Sequence, residues 1–352
     1  MWRPASGGRT LADARPKVWV SQPLFDDILA RLDTHCDVSA TREVTDHAPA
    51  AIAAALRDAD GALVTLNDRI GAAEIDGATR LRAVASVGVG YDNLDVRALH
   101  ARGIVATNTP GVLTETTADF GFALMMAAAR RVSEAERWLR DGRWQGWGFH
   151  KLLGADIHGS TLAILGMGRI GQGIARRAAG FGMRVLYHNR HRLPEPVERD
   201  CRAGYVDRDT LLAQADHLVL VLPYTPDSHH IIDAAALARM KPTATLTNVG
   251  RGGLVDEDAL VDALQAERLA AAGLDVFEGE PAVNPRLLEC RGVVLTPHVA
   301  SASLATRRAM VALAVDNLLA ALGIGPDAGR PSSVIPVPGE RPPSLPSFSP
   351  SP

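Results

Sequence analysis

Four side chains that could do chemistry lie just beyond predicted strands in the second half of the chain. Arg251 lies in NVGRGGLVDEDAL, Asp275 and Glu280 lie in AAGLDVFEGEP, and His298 lies in VVLTPHVAS. A guanidinium presents a fixed fork of donors to a carboxylate, and an imidazole can exchange a proton near neutral pH. Because ligands of open α/β sheets bind outside the carboxyl ends of the strands, we expect these side chains at one such edge.

A glycine-rich segment precedes these residues. GMGRIG, from Gly166 to Gly171, follows the apolar run TLAIL and opens the helical pattern IGQGIARRAAGFG. The glycines permit a tight turn and close backbone approach, and a helix N-terminus favours a pyrophosphate. Since a second apolar strand follows at Met183–His188, the segment predicts a dinucleotide site rather than an ordinary turn.

The end of that second strand predicts which dinucleotide binds. A unit that binds NAD usually carries an acid there, but this chain reads YHNRHR and has no acid before Glu195. Asn189, Arg190 and Arg192 can donate to a 2′-phosphate, which an acid would repel. We expect NADPH to be favoured, with NADH possible; the alternative is that these arginines form an ordinary solvated surface.

Short apolar runs alternate with amphipathic, alanine-rich stretches, which is typical of parallel α/β sheets. The first series of predicted strands is Val18–Val20, Gly61–Leu66, Leu81–Val87 and Ile104–Thr107, with helices at Asp26–Leu32 and Pro49–Arg57. The second series is Thr161–Leu165, Met183–His188, His217–Leu222, Ala244–Asn248, Ala271–Val276 and Val293–Leu295. One long helical segment, Thr114–Arg140, connects the two series, and a last helix is predicted at Ser303–Leu322.

The predicted fold is therefore α/β, with two Rossmann-like parallel-sheet domains, a cleft between them, and the dinucleotide domain inserted into the other. We expect residues 17–112 and the returning helix 299–322 to form the substrate domain, and residues 113–298 to form the NAD(P)-binding domain. Residues 323–352 are rich in proline and poor in apolar residues, so we expect an extended or disordered tail.

Composition excludes several classes of partner. The chain has 352 residues, 22% of them charged and 47% hydrophobic, and a net charge of −3, so nothing favours nucleic acid or an anionic membrane. The most apolar run, Phe120–Ala129, is about half the ~20 residues that span a bilayer. Cys36, Cys201 and Cys290 lack the spacing of a disulfide framework or a zinc site, so we expect reduced thiols, a cytoplasmic protein and no metal.

These ordered motifs, together with SVGVGYDNLDV and TNTPGVLTETTADFGFALMMAAARR, resemble the D-isomer-specific 2-hydroxyacid dehydrogenase family from about Val18 to Leu322. The segments TPGVLTETTAD, DIHGSTLAILGMGRIG and YHNRHR resemble its bacterial glyoxylate/hydroxypyruvate reductases, also called 2-ketogluconate reductases. The resemblance implies reduction by NAD(P)H of a small 2-keto acid, such as glyoxylate, hydroxypyruvate or 2-ketogluconate, to a D-2-hydroxy acid.

The resemblance also implies roles for residues. Arg251 would bind the substrate, His298 would donate the proton and Glu280 would orient His298; Glu278 competes for that last role, and the EP context favours Glu280. Backbone N–H groups of Val87 and Gly88 would hold the substrate carboxylate, together with Arg251 and His298. The residues implied at the cofactor are Thr116, Gly166, Gly168, Arg169, Ile170, Gly171, Asn189, Arg190, Leu222, Pro223, Val249, Gly250, Arg251, Asp275, His298 and Ala300.

A homodimer is implied as well, built around Thr114–Arg140, where FGFALMMAAA is more apolar than a solvent-facing connector should be. We expect Trp144 and Trp147 to pack beside this helix, with contact to substrate or to a partner subunit as alternatives.

Other functions stay open. A D-3-phosphoglycerate dehydrogenase shares the motifs but usually has the missing acid, a D-lactate dehydrogenase differs only in its pocket, and a corepressor that binds NAD(H) keeps Arg, Glu and His.

Overall fold

The computed structural model describes residues 15–337, which divide into two α/β units. Unit 1 comprises residues 15–112 and 307–337, and unit 2, Leu113–Thr306, is inserted between these two parts in the sequence. Each unit contains a parallel sheet with helices, so the predicted fold class is confirmed. No helix within residues 15–337 is both long enough and apolar enough to cross a membrane.

Unit 1 contains five parallel strands in the spatial order β2-β1-β3-β4-β5. The strands are β1 (Lys17–Val20), β2 (Asp37–Ala40), β3 (Gly61–Val64), β4 (Ala83–Ser86) and β5 (Val105–Thr107), and the helices are α1 (Asp26–Asp33), α2 (Pro49–Asp58) and α3 (Val96–Ala101). Central strands β3 and β4 are buried along their whole length, as expected for a sheet covered on both faces. The edge strand β2 was not predicted, because it is polar and half exposed and so lacks the apolar run of a central strand.

Unit 2 contains seven parallel strands in the order β12-β11-β10-β9-β6-β7-β8. The strands are β6 (Thr161–Leu165), β7 (Arg184–His188), β8 (Ala203–Tyr205), β9 (His217–Leu220), β10 (Thr245–Asn248), β11 (Ala271–Leu274) and β12 (Val293–Leu295). Its helices are α4 (Thr114–Ala129), α5 (Val132–Arg140), α6 (Arg169–Ala178), α7 (Glu195–Cys201), α8 (Arg208–Gln214), α9 (Ala234–Leu237), α10 (Glu257–Gln265) and α11 (Pro285–Glu289). The strand order reverses between β9 and β6, and such a switch point is where doubly wound sheets bind their ligands.

The single predicted helix Thr114–Arg140 is wrong, because the structure has two helices, α4 and α5. They are separated at Arg131, whose φ of 54° places it in the left-handed region and whose guanidinium binds both oxygens of Glu134 at 2.7 and 2.8 Å. Neither glycine nor proline marks this break, so the helical pattern continues through it. The apolar side of α4, including Phe122 and Met125, is buried in the core of unit 2.

The last helix, α12 (Leu304–Ala321), belongs to unit 1 from Arg307 onward. Its residues Val315 and Leu318 are fully buried. A Cβ added at Gly61 in β3 would lie 3.0 Å from Leu318, so the helix lies directly on the sheet of unit 1.

The expectation of an extended or disordered tail over 323–352 is wrong for its first part. Ile335 is buried in the core of unit 1 and donates its N–H to the carbonyl of Ala106 at 2.8 Å, beside the bridge between Val334 and Thr107. One buried isoleucine and the hydrogen bonds around it are enough to bind this segment to β5. The amino-acid composition of the tail does not reveal such a contact. Residues 338–352 lie outside the described part of the chain.

Candidate active site

The turn after β10 positions Arg251. The side chain of Asn248 donates to the carbonyl of Arg251 at 2.8 Å and accepts from the N–H of Gly250 at 3.0 Å, so one amide fixes both sides of the turn. A Cβ at Gly252 would overlap the backbone carbonyl of Phe277, so this turn packs directly on the segment after β11. The half-buried guanidinium of Arg251 donates to the carbonyl of Gly250 at 2.9 Å. Sequence reasoning did not find Asn248, although its place at the end of β10 was a signal.

The loop after β12 positions His298. Asp275 is fully buried, and its carboxylate accepts from the hydroxyl of Thr296 at 2.7 Å and from the N–H groups of Val299 and Ala300 at 2.9 and 2.8 Å. Burial raises the pKa of Asp275, although these donors oppose the shift. His298 itself has a φ of 53° and donates its N–H to the carbonyl of Asp275 at 2.8 Å. Asp275 therefore holds the loop on which the imidazole lies.

His298 and Glu280 form a pair. The Nδ1 of His298 lies 2.8 Å from Oε2 of Glu280, whose Oε1 accepts from the N–H of Phe277 at 2.9 Å. Burial tends to raise the pKa of Glu280, but the hydrogen bond and charge of His298, the Phe277 N–H and the charge of Arg251 together hold it below its ordinary value. Glu280 is therefore ionised at neutral pH. Its bond to Nδ1 leaves Nε2 as the ring nitrogen that can face a substrate.

Glu278, the competing carboxylate, has another partner. Its Oε2 lies 2.8 Å from Nε2 of His230, and its side chain is 44% exposed compared with 24% for Glu280. The geometry thus favours Glu280 as the residue that orients His298.

The glycine loop runs from the end of β6 into α6, which begins at Arg169. A Cβ at Gly171 would overlap the carbonyl oxygen of Gly166, so the fold itself requires this glycine. At Gly168, in contrast, an added Cβ would meet nothing within 4 Å. Since the protein leaves that space open at a helix N-terminus, the loop fits a pyrophosphate.

Asn189, just beyond β7, has a fixed orientation. Its Oδ1 accepts from the N–H of Met167 at 2.7 Å, which leaves its amide NH₂ to donate. Arg190 beside it is exposed. Both residues therefore present hydrogen-bond donors just beyond β7.

Arg192 forms an ion pair with Glu198. Its guanidinium binds both oxygens of the buried Glu198 at 2.9 and 2.8 Å, and Glu198 also accepts from the hydroxyl of Tyr187 at 2.6 Å. Burial, followed by the bond to Glu198, raises the pKa of Tyr187 to about 12. Arg192 therefore stabilises the loop after β7 and is not a second donor beside Arg190.

The other residues implied at the cofactor lie mostly along the same edge of the sheet. Leu222 and Pro223 follow β9, while Val249 and Gly250 follow β10. Ile170 is in the first turn of α6, Ala300 follows β12, and the hydroxyl of Thr116 in α4 lies 2.6 Å from that of Thr306.

The substrate-binding prediction in unit 1 needs a correction at Val87. Its N–H donates to the carbonyl of Val64 at 2.7 Å and extends the sheet, so it is not available for a carboxylate. The carbonyls of Gly88 and Val89 accept from Thr109 N–H and from Asn108 Nδ2 at 2.8 and 2.9 Å. Because the C=O and N–H of a trans peptide point in opposite directions, the N–H groups of Val89 and Gly90 face away from these partners.

Comparison with known proteins identifies the family. The model of the D-isomer specific 2-hydroxyacid dehydrogenase NAD-binding domain matches residues 122–300. Glyoxylate reductase of Korarchaeum cryptofilum is 45% identical over 308 residues, 87% of this chain and 92% of that protein. The chain belongs to the D-isomer-specific 2-hydroxyacid dehydrogenase family. The predicted resemblance is thus confirmed, and with it an oxidoreductase that uses a nicotinamide dinucleotide.

Two further relatives match most of this chain. Glyoxylate/hydroxypyruvate reductase B of Klebsiella pneumoniae is 44% identical over 310 residues, 88% of this chain and 95% of that protein. The crystal structure of an NADPH-dependent glyoxylate/hydroxypyruvate reductase of Sinorhizobium meliloti, with NADP and malonate, has a TM-score of 0.81 at 38% identity and covers 93% of this chain and 99% of that chain.

The glycine loop generates the first prediction. Gly168→Ala should leave the Tm unchanged but weaken NADPH binding about 10-fold or more, because the added methyl occupies only the space left for the pyrophosphate. Gly171→Ala should instead lower the Tm, since its Cβ overlaps backbone. Calorimetry gives the Tm, and titration of NADPH fluorescence gives the Kd.

Gly180→Ala is the matched control, because its Cβ also meets nothing within 4 Å and it lies outside the loop. Equal NADPH affinity in the Gly168 and Gly180 variants would contradict the assignment of this loop to the cofactor.

Proposed function

We propose that this dehydrogenase reduces small 2-keto acids, with glyoxylate and hydroxypyruvate as the main substrates and 2-ketogluconate as a further one, to D-2-hydroxy acids. The observation that carries the proposal is the 2.8 Å pair of His298 and Glu280 with the charge of Arg251 acting on it. Several relatives over 40% identical are glyoxylate or glyoxylate/hydroxypyruvate reductases, which supports the substrate class.

When bound, the dinucleotide would supply the hydride that the keto carbon receives. His298 holds a proton at Nε2 and gives it to the keto oxygen as negative charge develops there, so that the product is the neutral alcohol. Glu280 accepts the other ring proton at Nδ1, fixes the plane of the imidazole and stabilises its charged form. Proton donation thus depends on a pair that is already aligned before the substrate binds.

Arg251 is the proposed substrate-binding residue of unit 2. Its planar fork can hold the carboxylate and the keto oxygen with two parallel bonds, which a lysine cannot do. In unit 1 we assign the carboxylate donors to the N–H groups of Val89 and Gly90, with Gly88 beside them, in place of Val87. Successive N–H groups that point to the same side of a loop can together bind an anion.

For the cofactor we propose NADPH in preference to NADH. The amide NH₂ of Asn189 and the guanidinium of Arg190 would donate to the 2′-phosphate, and no carboxylate stands at their position in the sequence. The Sinorhizobium meliloti relative is described as NADPH-dependent, which supports the same choice. Asp275, through the loop that it holds, would shape the nicotinamide side of the site.

The alternative functions differ in which keto acids the protein would reduce. A D-lactate or D-3-phosphoglycerate dehydrogenase would act on pyruvate or on a phosphorylated keto acid in preference to glyoxylate. A corepressor that only binds NAD(H) would show negligible turnover with every keto acid. A panel of keto acids, assayed with both cofactors, therefore tests the proposal, and negligible oxidation of NADPH with glyoxylate and hydroxypyruvate would overturn it.

We also propose a cytoplasmic homodimer. The apolar segment of α4 does not support it, because most of that segment packs in the core of unit 2. The support is instead an apolar surface in and after α5. The expected packing of Trp144 and Trp147 beside the predicted helix is wrong, because both rings are mostly exposed. The exposed fractions on this surface are 58% for Leu139, 60% for Trp144, 75% for Trp147, 77% for Phe149 and 63% for Leu153. Apolar patches of this kind mark association surfaces.

The His298 pair generates a prediction about pH. Reduction needs the protonated imidazole, so kcat/KM should fall as pH rises. Because the pKa of Glu280 is lowered, its carboxylate is charged over the whole working range, and its effect is lost only in acid, below its ordinary pKa. Glu280→Gln removes a charge that favours the protonated ring, so the falling limb should move to lower pH.

The measurement is kcat/KM for glyoxylate against pH in both proteins. Glu278→Gln is the control, because that carboxylate contacts His230 and should leave the limb in place. An unmoved limb in Glu280→Gln, with rapid reduction retained, would refute the pair.

The cofactor site generates another prediction. A charge-assisted hydrogen bond contributes about 1.5–3 kcal/mol, so we expect a preference for NADPH of roughly 10- to 150-fold in kcat/KM. Asn189→Asp with Arg190→Ala should reverse it, because the donor is removed and a repelling charge is added. Arg199→Ala, which changes an exposed arginine paired with Glu195, is the control. A wild-type preference for NADH would show that Asn189 and Arg190 do not bind the phosphate.

The exposed surface generates a prediction about assembly. Sedimentation at micromolar concentration should show a dimer. The double variant Trp147→Ser with Phe149→Ser should be a monomer, because the substitutions remove the apolar area of both rings. Leu288→Ser changes a 66% exposed leucine on α11 and should leave the dimer intact. A monomeric wild type would overturn this assignment.

A further inference from the structure

Within residues 15–337, one group of side chains has the composition and spacing of metal ligands: His229, His230 and Glu278. One ligand atom from each of the three lies within 4.8 Å of the other two. Nε2 of His230 is 2.8 Å from Oε2 of Glu278, and Nδ1 of His229 is 3.9 Å from its Oε1. The proposed reaction uses none of these three residues.

The backbone brings the two imidazoles together. Consecutive side chains of an extended strand point to opposite sides, but His230 has a φ of 48°, in the left-handed region. Its N–H donates to the carbonyl of Gly253 at 2.8 Å, which holds it in this conformation. As a result both rings lie on the same side and stack, with centroids 3.8 Å apart. Sequence spacing does not show the group, since Glu278 follows nearly fifty residues later.

The surroundings favour a cation. Glu257, which is buried, accepts the N–H of Glu278 at 2.8 Å, so a second carboxylate lies beside the first. The hydroxyl of Tyr224 lies 3.1 Å from Nδ1 of His229. The three ligand side chains are 32–44% exposed, so an ion can enter from solvent and water can complete its coordination.

We propose that His229, His230 and Glu278 bind a transition-metal ion of the zinc class. Two imidazoles and one carboxylate, with a fourth position open to water, are a known zinc ligand set, whereas Mg²⁺ and Ca²⁺ require mostly oxygen ligands. Binding replaces the hydrogen bond between His230 and Glu278 with two metal bonds, and the ring of His229 turns out of the stack to present its nitrogen.

Such an ion would connect segments that are distant in sequence. His229 and His230 follow the short helical turn Pro226–Ser228, and Glu278 follows Phe277, on which the backbone of Gly252 packs. A bound ion therefore fastens these segments together around the turn that contains Arg251. The free energy of binding adds to the stability of the folded state, so the Tm should rise with metal concentration.

The test uses the full chain without a polyhistidine tag, freed of metal by a chelator. Titration with Zn²⁺ in a calorimeter should show one ion per chain, and Co²⁺ should give the visible absorption of a nitrogen- and oxygen-bound site. His230→Asn and Glu278→Gln should each weaken binding of Zn²⁺ more than about 10-fold. Asparagine is chosen because it tolerates the left-handed conformation, and glutamine because it keeps the shape of the side chain.

His100→Gln, an exposed histidine on α3, is the control and should bind Zn²⁺ as the wild type does. Zn²⁺ should raise the Tm of the wild type and of this control but not of Glu278→Gln. The proposal is overturned if the metal-free wild type takes up no Zn²⁺, or if His230→Asn and Glu278→Gln both bind it with wild-type affinity. None of these readouts depends on the proposed reductase activity.

Discussion

The buried carboxylate of Asp275 is the constraint on which the candidate site depends. A carboxyl group with no exposed surface is costly to bury unless it is hydrogen-bonded, and here three donors offset that cost. Those donors are the hydroxyl of Thr296 and the N–H groups of Val299 and Ala300, on either side of His298. The residue that needs the loop for its own solvation therefore also holds the loop that presents the imidazole.

The order of the strands makes the rest of the site follow. Because β10, β11 and β12 are neighbours, the turn with Arg251, the segment with Glu280 and the loop with His298 all leave the sheet at one edge. Gly252 packs on the backbone of Phe277, and the N–H of Phe277 binds Glu280. The charge of Arg251 consequently acts on Glu280, and Glu280 in turn binds Nδ1 of His298 at 2.8 Å.

The sequence predicts what rests on local chemistry and misses what rests on tertiary contact. Strands β6 and β12 have their predicted bounds, since each is an apolar run with clear ends. The break at Arg131 and the binding of Ile335 to β5 have no local signal, because residues distant in sequence stabilise both. The side chain of Arg131 donates to the carbonyl of Leu153 at 3.3 Å, and the N–H of Ile335 donates to the carbonyl of Ala106 at 2.8 Å. At Val87 the sequence does not show that the N–H is already used within the sheet, because the direction of an N–H depends on which carbonyl a neighbouring strand offers.

Asn189 can be exchanged for aspartate without disturbing the fold. Asn189 is tied to the glycine loop by the N–H of Met167, a bond that the carboxylate of an aspartate could accept equally well. Exchange between the two residues would therefore preserve the loop and change only the free end of the side chain: a donor in one case, a negative acceptor in the other. Arg192 stays paired with Glu198 in either case, so the loop keeps its shape. The proposed preference for NADPH thus rests on two side chains, Asn189 and Arg190, and the scaffold beneath them is suited to either dinucleotide.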